Sequence, residues 1–259
     1  MKFNGSVVKA EKLAEDIYFL RLKSGIIPEK AVPGQFVNIR CCNGLDAYLR
    51  RPISILRTNT LESTFDIVYM IRGKGTRLLS CFECGDTVDC VGPLGKGFTL
   101  PENGEKICVI GGGIGIFPLL FLLERSVEVE KTAFLGFRTK DLMVLQEDFQ
   151  KVTDRLVIST DDGSFGQKGL ITKPFLEYLE NEKPDRVYTC GPVPMMKTVA
   201  EACTEKGIFC EVSMEQRMGC GIGACLVCAC KVRNNDDYEY ERICRDGPVF
   251  NAGKIMFDI

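Results

Sequence analysis

The sequence predicts a multi-domain β plus α/β protein with three parts. An N-terminal antiparallel β-barrel spans residues 1–102, a central parallel-sheet α/β domain spans 103–212, and a small cysteine module spans 213–259. Three observations predict this. Short strand-like runs broken by Gly, Pro, Asn and Asp fill the first hundred residues. From Lys106 onward, strands alternate with helices, the pattern of a parallel sheet. Near the C-terminus four cysteines stand at C-x4-C-x2-C with a fourth after fifteen residues.

The barrel strands are expected at Val7-Val8, Ile17 to Leu22, Gln35 to Arg40, Phe65 to Ile71 and Thr87 to Val91, with a further strand at Arg51-Pro52-Ile53-Ser54. One helical pattern, Gly75 to Cys84, interrupts them. Lys106 to Ile110 reads as a buried strand, and Ile116 to Glu124 as an apolar helix. Strands at Thr132 to Phe137, Arg155 to Thr160 and Arg186 to Thr189 follow, with helices at Leu170 to Glu182 and Val193 to Lys206. The cysteine module begins at Glu215 and is expected to hold short strands around Val227 to Val232 and Gly253 to Phe257.

Composition narrows the function. The chain has 259 residues and a net charge of −2, so no broad electrostatic pull toward nucleic acid is expected. Met1 to Leu20 is studded with Lys and Glu, so no export signal is expected and the cytoplasm is the expected location. The longest apolar stretch, Val109 to Leu123, is broken by four glycines and Pro118 and is too short to span a membrane. Fourteen cysteines and no histidine are present. That excludes a Rieske centre, a His-containing zinc site and a His general base. No catalytic acid or base is assigned on this chain.

Cys220, Cys225, Cys228 and Cys244 have the plant-type ferredoxin spacing, in which four thiolates hold a two-iron, two-sulfur cluster. Gly221 and Gly223 between the first two let the backbone curl and aim N–H groups inward. A four-thiolate zinc site pairing Cys81 and Cys84 with Cys225 and Cys228 is the rival, but it leaves Cys220 and Cys244 unexplained. Cys230 lies two residues past Cys228, on the same face of an extended segment, and stands as an alternative third ligand. Cys41, Cys42, Cys81, Cys84, Cys90, Cys108, Cys203 and Cys210 are scattered and mostly fit buried small hydrophobes.

Several turns are suited to phosphate. Gly111-x-Gly113-x-Gly115-x-x-Pro118 follows a strand and opens a helix, where unpaired N–H groups and the helix dipole favour an anion. Ile116 takes the place of the third glycine of the strict dinucleotide fingerprint. Arg51 is suited to bidentate pairing with a diphosphate. Gly73-Lys-Gly75-Thr76 precedes a helix, and Cys190-Gly191-Pro192 ends an α/β strand at the edge where such sheets hold ligands.

Arg-Pro-Ile-Ser, Gly-x-Gly-Thr, Gly-Pro-Leu-Gly at Gly92 to Gly95, Gly-x-Gly-x-Gly-x-x-Pro and Cys-Gly-Pro, in that order, resemble the ferredoxin–NADP reductase superfamily over residues 5–212. With the cysteine module, the whole chain is similar to the family of electron-transfer subunits of dihydroorotate dehydrogenase B (NAD⁺). The resemblance implies an FAD-binding barrel, an NAD(P)-binding α/β domain and a [2Fe-2S] module. It implies FAD contacts at Arg51, Pro52, Ile53, Ser54, Val68, Tyr69, Met70, Gly75 and Thr76. Nicotinamide-nucleotide contacts are implied at Gly111, Gly113, Gly115, Cys190, Gly191 and Pro192, and cluster ligands at Cys220, Cys225, Cys228 and Cys244. It also implies a partner subunit carrying FMN, two of each in a heterotetramer, which oxidises dihydroorotate to orotate in pyrimidine biosynthesis. Electrons are then expected to run from FMN through the cluster and FAD to NAD⁺. Two departures stand out: Val227 where the family often has glycine before the third ligand, and the extra Cys230. The related subunits of NADH-dependent ferredoxin:NADP⁺ oxidoreductase and sulfide dehydrogenase form a second reading. A colourless redox sensor or zinc-stapled binding module is a third, of another class. Gly136-Phe-Arg138-Thr-Lys140-Asp141 offers both acid and base beside a ribose, so NAD is taken from the resemblance alone.

Overall fold

The computed structural model describes residues 1–42, 44–235 and 237–257. Six strands close an antiparallel barrel in the order β1-β2-β5-β4-β3-β6. They are β1 (Lys2–Ala14), β2 (Ile17–Lys23), β3 (Phe36–Ile39), β4 (Arg51–Asn59), β5 (Thr64–Met70) and β6 (Thr87–Leu94). Two short helices, α1 (Ile27–Lys30) and α2 (Lys74–Leu79), lie between them. Alternation fills the interior with Leu20, Leu22, Val37, Ile39, Ile53, Ile55, Phe65, Ile67 and Tyr69. The opposite face of β3 and β4 carries Phe36, Asn38, Pro52 and Ser54, and Phe36 packs into the core of the C-terminal half.

The second sheet has seven strands in the order β10-β9-β8-β7-β11-β12-β15. These are β7 (Lys106–Gly112), β8 (Glu130–Phe137), β9 (Arg155–Thr160), β10 (Gln167–Lys168), β11 (Arg186–Cys190), β12 (Phe209–Ser213) and β15 (Val249–Asn251). All neighbours are parallel except β12 and β15. Helices α5 (Thr172–Asn181) and α6 (Val193–Glu205) cover one face. Helices α3 (Ile116–Arg125) and α4 (Gln146–Val152) cover the other. Every residue from Ile116 to Leu123 is buried. Phe121 enters the barrel core while Leu119 and Leu120 join the core on the sheet, so α3 is apolar all round because it fills the seam between barrel and sheet.

The cysteine module contributes a hairpin, β13 (Ala229–Asn234) and β14 (Asp237–Arg242), and then returns its last strand to the large sheet. The strand expected over Gly253 to Phe257 is not one. That segment begins as a 3-10 turn, Ala252–Lys254, and keeps only a single bridge from Ile255 to Val232. The sheet-forming residues lie just before it, where Val249 and Phe250 are buried. The helix expected to reach Cys84 ends at Leu79, because the N–H groups of Cys81 and Phe82 turn back to carbonyls three residues earlier. None of the helices among the described residues is long and apolar enough to cross a membrane.

Candidate functional site

The barrel opens where β4 and β5 part. Their ladder runs from Asn59–Thr64 to Ile55–Ile67 and stops. Val68, Tyr69 and Met70 stay paired to β2 only, so on the β4 side their backbone edge is unpaired among the described residues, beside Arg51 to Ser54. Val68 is buried facing the sheet domain, and Tyr69 is buried inside the barrel, stacked on Tyr18 at 6.1 Å. Among the described residues the Tyr69 hydroxyl has no hydrogen-bond partner, and burial raises its pKa above the ordinary phenol value.

Arg51 closes one end of this opening. Its guanidinium lies across Gly75 in the first turn of α2, where a Cβ would fall 2.6 Å from Cζ. Arg51 Nη1 donates to the carbonyls of Leu49 and Arg50. Thr76 Oγ1 accepts from the N–H of Arg72 at 2.9 Å and of Gly73 at 3.3 Å, which fixes the turn. The arginine and the glycine turn are thus one cradle.

A second crevice lies at the carboxyl ends of β7 and β11. Strand order reverses between these neighbours, the place where open α/β sheets hold ligands. Gly111 is paired with Cys190 across them. The two motifs interlock. A Cβ on Gly115 would overlap the Cys190 carbonyl group, and one on Gly112 would sit 2.7 Å from Pro192 Cδ. Gly191 presses on the Gly112 backbone with φ +151°. Burial pushes the Cys190 thiol up to about 12, so it stays protonated at neutral pH.

The loops after β8 and β9 are joined. Asp161 and Asp162 donate their N–H groups to the carbonyls of Phe137 and Arg138. Ser164 Oγ accepts from Lys140 N at 2.8 Å and donates to Asp162 Oδ1 at 2.7 Å. This brings two acids beside Arg138 and Lys140 that the sequence reading did not include.

In the cysteine module, Gly221 and Gly223 have φ of +72° and +85°. That curl turns N–H groups onto sulfur. Cys220 Sγ accepts from Ile222 at 3.5 Å, Ala224 at 3.2 Å and Cys225 at 3.4 Å, while Cys244 Sγ accepts from Gly223 at 3.1 Å. Burial opposes ionisation of Cys220, but these N–H donors prevail and pull its thiol down to about 6. Cys228 Sγ accepts from Cys244 N at 3.5 Å, and both residues are buried. Arg242 Nη1 holds the Gly223 carbonyl at 3.1 Å. Cys230 sits in β13 opposite Glu241, and burial pushes its thiol up to about 11.

Cys81 and Cys84 are exposed, with their sulfurs on the carbonyls of Arg77 and Val8 at the barrel surface. Among the described residues no three Cys, Asp or Glu converge at single-metal range, and this holds for Cys220, Cys225, Cys228 and Cys244 as it does for the zinc pairing. Five of the eight scattered cysteines are buried, Cys42 is half-buried, and Cys81 and Cys84 depart from the expected burial.

Residues 215–256 match the iron–sulfur cluster binding domain of dihydroorotate dehydrogenase B, and residues 109–201 match the oxidoreductase NAD-binding domain. The protein of Desulforamulus reducens named "Dihydroorotate dehydrogenase B (NAD(+)), electron transfer subunit" is 38% identical over 258 residues, which is 99% of this chain and 98% of that one. One of the same name from Caldanaerobacter subterraneus subsp. tengcongensis is 38% identical, covering 99% of each. The chain belongs to this family. As an electron transfer subunit of NAD-dependent dihydroorotate dehydrogenase B, it is an oxidoreductase subunit with a catalytic partner. Its fold is also that of a chain in the NADH-dependent reduced ferredoxin-NADP oxidoreductase structure, with TM-score 0.87, 32% identity and coverage of 98% of this chain and 90% of that one. The ferredoxin reductase of carbazole 1,9a-dioxygenase, at 23% identity and TM-score 0.67 over 80% of this chain and 66% of that one, shares the reductase fold.

One residue near the cluster loop of this electron transfer subunit lay outside every motif. Asn38 is the polar member of the buried run Phe36–Ile39 and is 1% exposed. Its Nδ2 donates to the Cys220 carbonyl at 3.4 Å, and its Oδ1 has no partner among the described residues. A lone asparagine in an apolar strand was the available signal, since a buried amide needs partners.

Proposed function

We propose that this subunit carries electrons between an FMN-containing catalytic partner, two of each in a heterotetramer, and NAD⁺. The observation that carries the reading is that the cluster loop packs on the outer face of the same β3–β4 pair that opens toward Val68, Tyr69 and Met70. The loop and the parted strands therefore share one wall of the barrel.

FAD fits that opening. The unpaired edge of Val68, Tyr69 and Met70 offers backbone donors and acceptors to a ring system, beside Pro52, Ile53 and half-buried Ser54. Arg51, Gly75 and Thr76 would hold the diphosphate, since a guanidinium over a glycine turn is suited to paired phosphates. Gly111, Gly113, Gly115, Cys190, Gly191 and Pro192 would shape the nicotinamide crevice. A [2Fe-2S] cluster fits Cys220, Cys225, Cys228 and Cys244, around which N–H groups already point at sulfur. When bound, FAD supplies the exchange between single electrons and a hydride pair, and the cluster supplies one-electron transfer.

The chain's own residues bind, orient and exclude. The interlocked glycine and Cys-Gly-Pro turns fix the floor of the nicotinamide crevice, and the protonated Cys190 thiol adds no charge there. The chain has no histidine, and no acid or base on it is needed for carbon chemistry, which falls to the partner. The ten cysteines outside the proposed ligand set form no disulfide among the described residues, which suits a reducing cytoplasm.

The test is co-purification with the partner, followed by dihydroorotate-dependent NAD⁺ reduction. The subunit alone should oxidise NADH with artificial acceptors and leave dihydroorotate untouched. Turnover of dihydroorotate without the partner would overturn this division of labour.

A further inference from the structure

We propose that Asn38, a barrel residue outside the cysteine module, is the positioning residue that tunes the cluster, by locking the loop whose N–H groups face the sulfurs. The inference rests on the ligand set proposed above.

Three observations carry it. Asn38 Nδ2 donates to the Cys220 carbonyl, across 182 residues of sequence. The same side chain lies against Gly221 so closely that a Cβ at 221 would overlap Nδ2 and come within 3.1 Å of Cγ. Asn38 itself cannot wander, because it is buried within a strand paired on both sides, to Pro52 of β4 and to Val91 of β6.

The consequence runs through backbone geometry. Gly221 holds φ +72° and Gly223 +85°, and this curl aims the N–H groups of Ile222, Ala224 and Cys225 at Cys220 Sγ and that of Gly223 at Cys244 Sγ. Hydrogen bonds to cluster sulfurs favour the more negative, reduced state and so help set its potential. Arg242 grips the far side of the loop at the Gly223 carbonyl. Asn38 grips the near side, at the residue that begins the curl. Releasing it frees Cys220 and Gly221, lengthens the N–H···S contacts and disfavours the reduced cluster. The barrel wall beside the flavin opening thus fixes the cluster's poise as well as its place.

The experiment uses the full chain loaded with FAD and cluster, as wild type, Asn38→Leu and Asn38→Ser. Leu keeps the size and removes the hydrogen bond; Ser keeps a polar group but no longer reaches. Reductive titration is followed by the electron paramagnetic resonance signal of the reduced cluster, and FAD content is measured alongside. At a fixed ambient potential the reduced-to-oxidised cluster ratio should fall about tenfold in both variants, ~59 mV for a one-electron couple. FAD content should hold, which a general weakening of the barrel would not allow. An unchanged ratio in either variant that retains its cluster would overturn the assignment. Absence of a cluster signal from the wild-type chain would instead overturn the ligand set itself.

Discussion

Gly75 lies directly beneath the guanidinium of Arg51, with no room for a Cβ between them. Two motifs 24 positions apart in sequence therefore meet in a single cradle. The same relationship recurs at the other crevice, where Gly115 lies under the Cys190 carbonyl. In both places a glycine is required by the neighbour that covers it, since the conformation alone admits other residues at Gly115, with φ −65°.

Gly75→Ala should weaken FAD retention while sparing the fold. The obstructing atoms belong to a flexible side chain, so Arg51 swings aside and its contact with phosphate is lost. A hydrogen bond to a charged group contributes ~1.5–3 kcal/mol, or about 10- to 100-fold in affinity. Flavin absorbance per chain after gel filtration measures the loss, and thermal melting of the flavin-free protein should change little. Full FAD retention would sink the proposed cradle.

Gly115→Ala should behave differently, because the obstruction is backbone. The β7 and β11 turns must separate, at a cost of about 1–3 kcal/mol for overpacking. A misplacement of about 1 Å can cost on the order of 100-fold in rate, and kcat/KM for NADH with an artificial acceptor should fall by that order. FAD content should remain. Unaltered NADH kinetics would remove Gly115 from the nucleotide crevice.

Much of this was legible in the sequence, for physical reasons that can be named. The parallel strands Lys106–Gly112 and Arg186–Cys190 are buried on both faces and read as apolar runs ending in glycine turns. The cysteine spacing is local, so the loop that gathers Cys220, Cys225 and Cys228 shows in the chain itself. Other elements were hidden. β1 runs thirteen residues, yet it is mostly exposed and has two register shifts, so alternation surfaces only near Val7. β14 is a polar, largely exposed strand without an apolar face, and α4 buries only Phe149. The parting of β4 from β5 and the reach of Asn38 to Cys220 are long-range facts, which no local pattern records.

Acid stability should reveal the Arg50–Asp89 pair beside the cradle. Arg50 Nη2 meets Asp89 Oδ2 at 2.7 Å, and Nη1 meets the Asp89 carbonyl at 2.7 Å. Desolvation raises the Asp89 pKa, but the Arg50 hydrogen bond and charge outweigh it and hold the carboxyl below the ordinary range. A depressed folded pKa gives stability that is fully present above the unfolded value of about 3.9 and is lost as pH falls through the folded value. Arg50→Met should therefore cost on the order of 1–3 kcal/mol at neutral pH. Melts between pH 2.5 and 7 should show a shallower acid slope than wild type. An identical slope would mean the pair contributes nothing.

Replacing single cysteines should decide the third cluster ligand. Cys228 Sγ is buried, accepts from Cys244 N and lies in the same sulfur group as Cys220 and Cys244. Cys230 is held in the hairpin opposite Glu241, and no N–H of the loop donates to it among the described residues. Its alternation with Cys228 does not carry it to the cluster, because Cys228 precedes β13 in a turn and only Cys230 belongs to the strand. Cys228→Ser should abolish the visible absorption and electron paramagnetic resonance signal of the cluster while leaving FAD bound. Cys230→Ser should keep both cofactors and NADH oxidation within about twofold, as for substitutions away from a site. The reverse pattern would reassign the third thiolate to Cys230 and require the hairpin to shift by two residues.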